Sequence, residues 1–545
     1  SVAKGRVAAP VVEGNLLRVK GQGYELTFDK NTGGLYAATY NGATVIEPGH
    51  GPRLDAFRAR TDNDNWMDAK WPKLGLHNLQ HKALAFAQNV TKEGSLQLIF
   101  TVESQAPYGG VDNYSNRDRE KDEVYKIVDD KSKPFGTNDF KFTTHQIYTI
   151  YADGSVELES AISSNMPKAK LPRLGYAFEM PKDYRNFTYY GRGPVNNYAD
   201  RKTGQFIERH QGVVGEQDIM LPKPQSMGNR EDVRWCALTN EAGQGVAFVA
   251  NGTMSASALP WSHLQLMGAA HPYQLPTSDA TYVHLDTKVA GLGGNSCGQG
   301  GPLSHDCVFG NAYRFGFVMR PVTNDNLTTS VKVTPAGQEP ISVTRSNVGE
   351  VSINSPETNR TVLYTINGGK AQVYKAPFNL RDGGIIKAWF KDNAKLSVEQ
   401  TFAKIEDVPL SVAFVSSQET GSYDADLMVD QDTDTFWHTM YSVTVAQFPH
   451  WVDFDASAVK TMKGFVYVPR QKGDNGLIKD YEVYVSEDGN NWGEPVAKGS
   501  FPNSRADQRV MFAQPVKARY IRFKALNSLN GQDYAAAAEF RLLAE

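Results

Sequence analysis

A chain of 545 residues is too long for one hydrophobic core, so roughly two to four domains are expected. Its net charge of −3 gives no electrostatic drive toward nucleic acid, and it holds no run of about 18 apolar residues to span a membrane as a helix. Its 48 glycines and 11% aromatic residues, with abundant Val and Thr, favour strands over helices. The chain opens Ser1-Val-Ala-Lys4, without Met or an apolar leader, as a mature form or a piece of a longer protein would. Three cysteines, Cys236, Cys297 and Cys307, make no disulfide framework; Cys297 and Cys307 could pair across one loop, and free thiols are the simpler reading.

Strand patterns begin at Leu17-Arg-Val-Lys20 and Tyr24-Glu-Leu-Thr-Phe28, and Asn31-Thr-Gly-Gly34 is a hairpin-type turn signal. Leu96 to Val102, Thr144 to Tyr151 and Val156 to Ser160 repeat the pattern, with Ala152-Asp-Gly-Ser155 as a turn. Residues 108–137 are polar and charge-rich, which predicts a long surface insertion. Gly243 to Ala250 and Tyr313 to Met319 are further strands. Many strands without βαβ alternation predict sandwiches and not a barrel. After Arg320 the polar, turn-rich stretches Thr323 to Asn326 and Pro335 to Pro340 suit a linker or strand connector. Val362 to Ile366, Tyr374 to Phe378 and Gly384 to Phe390 then predict a small second sandwich. Gly464 to Arg470, Asp480 to Trp492, Arg519 to Lys524 and Ala538 to Arg541 outline a third unit.

Five ordered motifs stand out in the first region. They are Pro52-Arg53 through Thr61-Asp-Asn-Asp64, Pro172-Arg-Leu-Gly175, Gly191-Arg-Gly-Pro-Val-Asn-Asn-Tyr-Ala-Asp-Arg201, Gly228-Asn-Arg-Glu-Asp-Val-Arg-Trp235 and Gly291-Leu-Gly-Gly-Asn-Ser-Cys297. In this order they resemble the small-chain domain of family 2 β-galactosidases, over roughly residues 18–320. Residues 341–405 resemble the immunoglobulin-like domain near the C-terminus of chitobiases and hexosaminidases. Residues 409–545 resemble the discoidin-like, factor V/VIII C-type sandwich of family 32 carbohydrate-binding modules. The resemblances imply an all-β chain of three parts: a large β-supersandwich at 1–325, an Ig-like spacer at 326–408, and a discoidin-like jelly-roll module at 409–545.

Glycoside hydrolysis usually needs two carboxylates held across the scissile bond. In the resembled enzymes both come from a (β/α)₈ barrel of about 250 residues, and no stretch here alternates in that way. The catalytic pair is therefore expected upstream, in a parent β-galactosidase acting on terminal β-galactosides, and this chain alone is expected to be inactive. The resemblance implies that the loop holding Asn295, Ser296 and Cys297 lines the active-site mouth, with His305 within reach. Cys297 stands where the family presents a Trp, and Asn196 departs from the acidic residue common in its loop. Similar sandwiches occur in aldose mutarotases. His145, His210, His263, His271 and His284 are available for such chemistry, but none falls in a motif that pairs it with an acid or base.

The third unit carries two constellations. Asp430-Gln-Asp-Thr-Asp-Thr435 with the distant Glu539 offers the oxygen donors calcium takes. The family resemblance implies a structural calcium site with ligands from the side chains of Asp430 and Glu539, the hydroxyl or carbonyl of Thr435, and the carbonyls of Leu427, Asp432 and Ala538. The second set, His438, Tyr441, Arg470 and Asn475, offers polar groups and an aromatic face for a sugar, in the spacing of galactose-binding members of that module family. Trp437, Trp451 and Trp492 sit in strand contexts and are expected in the core. The expected partners are galactosides and other galacto-configured glycans, with an extracytoplasmic, periplasmic or secreted location resting on the appended module. The alternative reading is a stand-alone glycan-binding or adhesion protein.

Overall fold

The computed structural model describes residues 2–66, 70–111, 128–137, 139–294 and 300–544. They divide into two compact units. The first takes in 1–344, 351–378 and 384–402, so most of the second strand-rich stretch clusters with the large sandwich. The second unit is chiefly 403–545, with 345–350 and 379–383.

In the first unit an antiparallel meander of five strands runs from Val11–Glu13 through Leu16–Gly21, Tyr24–Asp29 and Gly34–Tyr40 to Ala43–Ile46. Its predicted turn needs a glycine. Gly33 has φ 70°, and a Cβ there would lie 2.5 Å from Val102 Cγ2. A twelve-stranded sheet covers this meander. Its long path is Phe206–Val213, Asn186–Gly193, Arg230–Thr239, Gln244–Leu259, Tyr313–Thr323, Val156–Ser164, Phe142–Ile150, Leu96–Gln105 and Gln80–Val90. Ala280–Val289, Arg173–Pro181 and Arg53–Asp55 branch from Gln244–Leu259. Leu98, Phe100, Tyr148, Leu158 and Phe317 fill the space between the layers, where Phe28 meets Tyr148 edge-on at 5.2 Å.

The other face of the same strands is also buried, but it is mostly polar. Register places Gln97, Thr101, Thr143, His145, Thr149, Glu157 and Glu159 together on it. Within the unit this face is covered by residues 335–343 and by strand Asn393–Phe402. Glu157 accepts from Ala336 N at 3.1 Å and Gly337 N at 2.7 Å, and His145 Nε2 accepts from Val343 N at 3.4 Å. Glu399 N donates to Thr101 Oγ1, and Gln97 bonds Gln338. The stretch expected as a linker or connector is thus tied down, because buried carboxylates need donors. Small sheets follow, including a four-stranded one in the order Gln372–Val373, Val362–Ile366, Gly384–Phe390, Asn393–Phe402.

The predicted insertion at 108–137 is paired at its ends, Tyr108–Val111 against Val128–Pro134. Residues 112–127 lie outside the described residues.

The second unit is a seven-stranded sheet ordered Asp407–Val408, Glu539–Ala544, His450–Val468, Gln508–Ala525, Asp480–Ser486, Ala497–Ser500, with Ser411–Val415 also on His450–Val468. Its core is aromatic: Phe454 stacks on Phe540 at 4.7 Å, and Phe465 and Phe523 pack beside them. Trp437 joins this core. Trp451 and Trp492 are only half-buried and flank Arg522, whose guanidinium lies 5.3 and 4.2 Å from their rings. The expectation of core burial therefore fails for these two, because Arg522 needs a polar outlet and finds it in Asp453.

Candidate functional sites

The first site is the root of the glycine-rich loop after strand Ala280–Val289. Four of the ordered motifs meet there. Arg58 and Asp64, both fully buried, form a two-pronged pair at 3.2 and 2.6 Å, and Arg58 Nη1 donates to Ala290 O at 2.7 Å. Burial alone lowers the Arg58 pKa, but the facing carboxylate raises it above its ordinary value. Asp200 accepts from Leu292 N at 3.0 Å and Gly293 N at 2.8 Å. Gly293 O accepts from Arg201 Nη2 at 2.5 Å and Asn63 Nδ2 at 3.0 Å. Beside this knot Arg173 makes a buried two-pronged pair with Asp286. Charge-assisted bonds of this kind are short and directional, so the loop leaves the sheet along a fixed path.

Asn295, Ser296 and Cys297 lie outside the described residues. His305 lies on the returning limb, exposed, with Nε2 3.3 Å from Asp306. Cys236 and Cys307 are buried free thiols. Asn196 contributes its Oδ1 to Gly228 N at 3.4 Å, which joins the fifth pattern to the same region.

The histidines without a sequence motif have distinct fates. His145 is buried among the polar groups of the covered face. His210 lies near Phe206 O, and His271 stacks on Tyr273. His263 and His284 meet edge-to-face at 4.8 Å, a pairing that depends on strand register and has no local signature.

In the second unit the four expected sugar-site residues come together. His438 is held by pairing of Trp437–His438 with Ala536–Ala537, and its Nδ1–H donates to Thr439 O at 2.6 Å. Burial lowers its pKa, so the ring is neutral and Nε2 is left as an acceptor. Tyr441 stands edge-on to it at 5.2 Å and is 45% exposed, which leaves ring surface for a ligand. Arg470 lies 4.1 Å over Phe436 and donates to Lys472 O and Asn475 O at 2.6 and 2.7 Å. Asn475 Oδ1 accepts from Asn530 at 3.2 Å.

Several members were missed from sequence. Tyr423 stacks on Phe436 at 4.6 Å, and Tyr534 lies 5.3 Å from His438. Glu419 fixes the Tyr441 loop by accepting from Tyr441 N, Ser442 N and Ser442 Oγ, bonds that hold its carboxyl below the ordinary range.

The acidic turn folds around one carboxylate. Asp430 accepts from Asp432 N and Thr435 Oγ1, both at 2.9 Å, and Gln431 adopts φ 64° to make the turn. Glu539 faces Asp430 from the strand above, almost fully buried, with Oε1 lacking a hydrogen-bond partner. Burial first, then the hydrogen bond and charge of Asp430, push its pKa to about 9. Two carboxylates and a hydroxyl around an unpartnered buried oxygen fit an oxygen-seeking cation. Leu427 lies in the adjoining turn Ala425–Val429 and Ala538 is buried next to Glu539. Among the described residues no three His, Cys, Asp or Glu side chains gather as ligands, so further donors must be hydroxyls or carbonyls.

Residues 20–319 match the family described as Beta galactosidase small chain, and residues 413–540 match the F5/8 type C domain. A β-galactosidase of Priestia megaterium (strain DSM 319 / IMG 1521) is 28% identical over 307 residues, which are 56% of this chain and 26% of that protein. A sialidase of Micromonospora viridifaciens is 38% identical over 154 residues, 28% of this chain and 24% of that protein. Among solved structures, a CBM32 module from Clostridium perfringens in complex with GalNAc-β-1,3-galactose covers 25% of this chain and 99% of its own, at 28% identity and TM-score 0.24. The chain spans about a quarter of the length of these curated relatives.

Proposed function

We propose, from the premise that the chain belongs to the β-galactosidase small chain family, that it is the non-barrel part of a β-galactosidase acting on terminal β-galactosides. The observation that carries this reading is the convergence of Asn63, Arg58, Asp200 and Arg201 on the backbone of residues 290–293. A plain spacer has no need to fix a glycine-rich loop with four side chains from distant segments. A loop that must meet a substrate does, because misplacement by about 1 Å costs rate. Asn295, Ser296, Cys297 and His305 then edge the active-site mouth.

The catalytic acid and nucleophile belong to a barrel elsewhere in the parent protein, and this chain alone turns over no galactoside. Its F5/8 type C domain binds galacto-configured glycans: Arg470 and His438 meet an axial hydroxyl, Asn475 adds a polar contact, and Tyr441 covers the apolar ring face. One shallow site implies weak affinity, about 0.1–1 mM, useful where dense glycans raise effective concentration. Asp430, Thr435 and Glu539, with the carbonyls of Leu427, Asp432 and Ala538, would hold a calcium ion, whose charge would offset the facing carboxylates. A glycan-tethering module places the protein outside the cytoplasm, in periplasm or medium.

The test has two arms. The purified chain is assayed on nitrophenyl β-galactoside, and Asp200→Ala is assayed in the barrel-containing parent. No turnover in the first and a drop of tenfold or more in the second are expected. Parent-like turnover by the chain alone, or unchanged parent kinetics with Asp200→Ala, overturns the reading. Absence of any upstream barrel returns the alternative, a stand-alone glycan-binding protein.

A further inference from the structure

The first unit holds a cleft that the reading above leaves unused. Its floor is the outer face of three paired strands. Register sets Ala177 between Arg53 and His284, Gly175 between Asp55 and Asp286, and Glu179 beside Tyr282. The alternate residues Tyr176, Phe178, Val283 and Leu285 are buried. Ionisable side chains thus surround Ala177, and this small residue leaves a hollow above the sheet. The turn Ser262 to Leu264, the segment Gly49 to Gly51, Phe57 and His77 complete its walls, around a volume of about 260 Å³. That is below the roughly 300–1,000 Å³ of drug-sized sites, so the occupant is small.

The lining chooses among small ligands. Asp55 and Glu179 carry the acidic charge, and Glu179 is already paired with His50 at 2.7 Å. The Arg53 guanidinium is committed in part to the carbonyls of Leu35 and Pro52. An anion therefore meets two carboxylates and no open cationic cradle. Two buried ring nitrogens of the lining, His284 Nδ1 and His77 Nδ1, have no hydrogen-bond partner. His77 Nε2 faces Asp129 at 2.7 Å, which makes it the protonated nitrogen and leaves Nδ1 an acceptor. His284 Nδ1 stands 3.9 Å from Asp55 Oδ1, too far for a direct bond and suited to a shared hydroxyl. Hydroxyls donate and accept, so they satisfy both groups. Phe57 supplies an apolar surface among these polar atoms.

We propose that this cleft is a second binding site, taking one neutral cyclic polyol of monosaccharide size, with a hydroxyl bridging Asp55 and His284. The site is independent of the module's sugar site and of the parent's chemistry.

Saturation-transfer NMR with D-galactose, D-glucose and galactose 6-phosphate tests it on the full chain, in an Arg470→Ala/Tyr441→Ala background that silences the module. A neutral-sugar signal is expected to survive in that background and to fall fivefold or more with Ala177→Leu, which fills the hollow from its floor. Asp55→Asn keeps the shape, removes the charge, and is expected to weaken binding threefold or more. It also serves as the test if Ala177→Leu does not fold. No residual signal in the silenced background overturns the proposal, as does a signal unchanged by both cleft variants. Equal binding of galactose 6-phosphate overturns the assignment to a neutral ligand. Whether Arg470→Ala/Tyr441→Ala removes a separate component from the parent chain's signal reports on the module alone, so the two readings fail separately.

Discussion

The loop root in the first unit and the proposed sugar site in the second are built from different materials. The root uses buried ion pairs, Arg58 with Asp64 and Arg173 with Asp286, each charge answered by one partner. The sugar site uses a cluster of rings, Tyr423, Phe436, His438, Tyr441 and Tyr534, with short polar ties at its edge. A buried charge that loses its partner cannot be resolvated in place, whereas a half-exposed ring can be removed with little left unsatisfied. The first region therefore places backbone at the risk of the fold, and the second presents a surface that can change without it.

Four measurements sharpen or break that contrast. Arg173→Leu leaves Asp286 buried and uncompensated, and is expected to destabilise the first unit by about 3–5 kcal/mol. Denaturant unfolding followed by probes in each unit checks this; a loss shared equally by the second unit breaks the contrast. Glu159→Gln comes next. Burial, then the nearby Glu157 charge, raises the Glu159 pKa from 4.5 to about 8. The folded state thus binds more protons than the unfolded state between those values. Its stability contribution is fullest at the acidic end and is lost as pH rises through that window. The variant should be more stable than the parent at pH 8 by roughly 2–4 kcal/mol and nearly equal at pH 4.5. Equal melting at both pH values contradicts it.

The proposed calcium would be a smaller term and would act on the second unit. At a free concentration 100 times Kd it adds about 2.7 kcal/mol to the folded state. Chelation should lower that unit's melting temperature, and Asp430→Asn or Glu539→Gln should abolish the response. Identical curves with chelator and with calcium would mean that the turn holds no metal. Smallest is Tyr441→Ala. It should weaken galactose binding tenfold, about 1.4 kcal/mol, with a melting temperature that does not move. A collapse of the second unit on this change would make the ring cluster structural after all.

Strand positions were legible because alternation marks which residues can share a face, as at Leu96 to Val102 and Val156 to Ser160. The grouping of His438, Tyr441, Arg470 and Asn475 was legible because they keep a spacing within two short segments. Glu419 carries no local signature, because its role depends on a loop 22 residues away, at Tyr441. Arg58 reaching Ala290 spans 232 positions, and His263 meeting His284 requires a helix start to cover a strand. Such contacts follow from register and packing, to which local composition is blind. The half-exposed Trp451 and Trp492 were misplaced for a related reason: a strand context does not say which face carries an arginine.

The covered polar face of the large sheet bears on how the chain would behave if its cover opened. Most proteins that gain an extra layer bury grease beneath it, and cannot later shed the layer without becoming sticky. Here the ground under residues 335–343 and Asn393–Phe402 is largely Gln97, Thr101, Thr143, His145, Thr149, Glu157 and Glu159. Stripped of its cover, this ground is wettable. A chain without the covering segment would therefore meet water with a mostly polar surface. Opening of this seam carries little risk of aggregation, because it uncovers no large apolar patch.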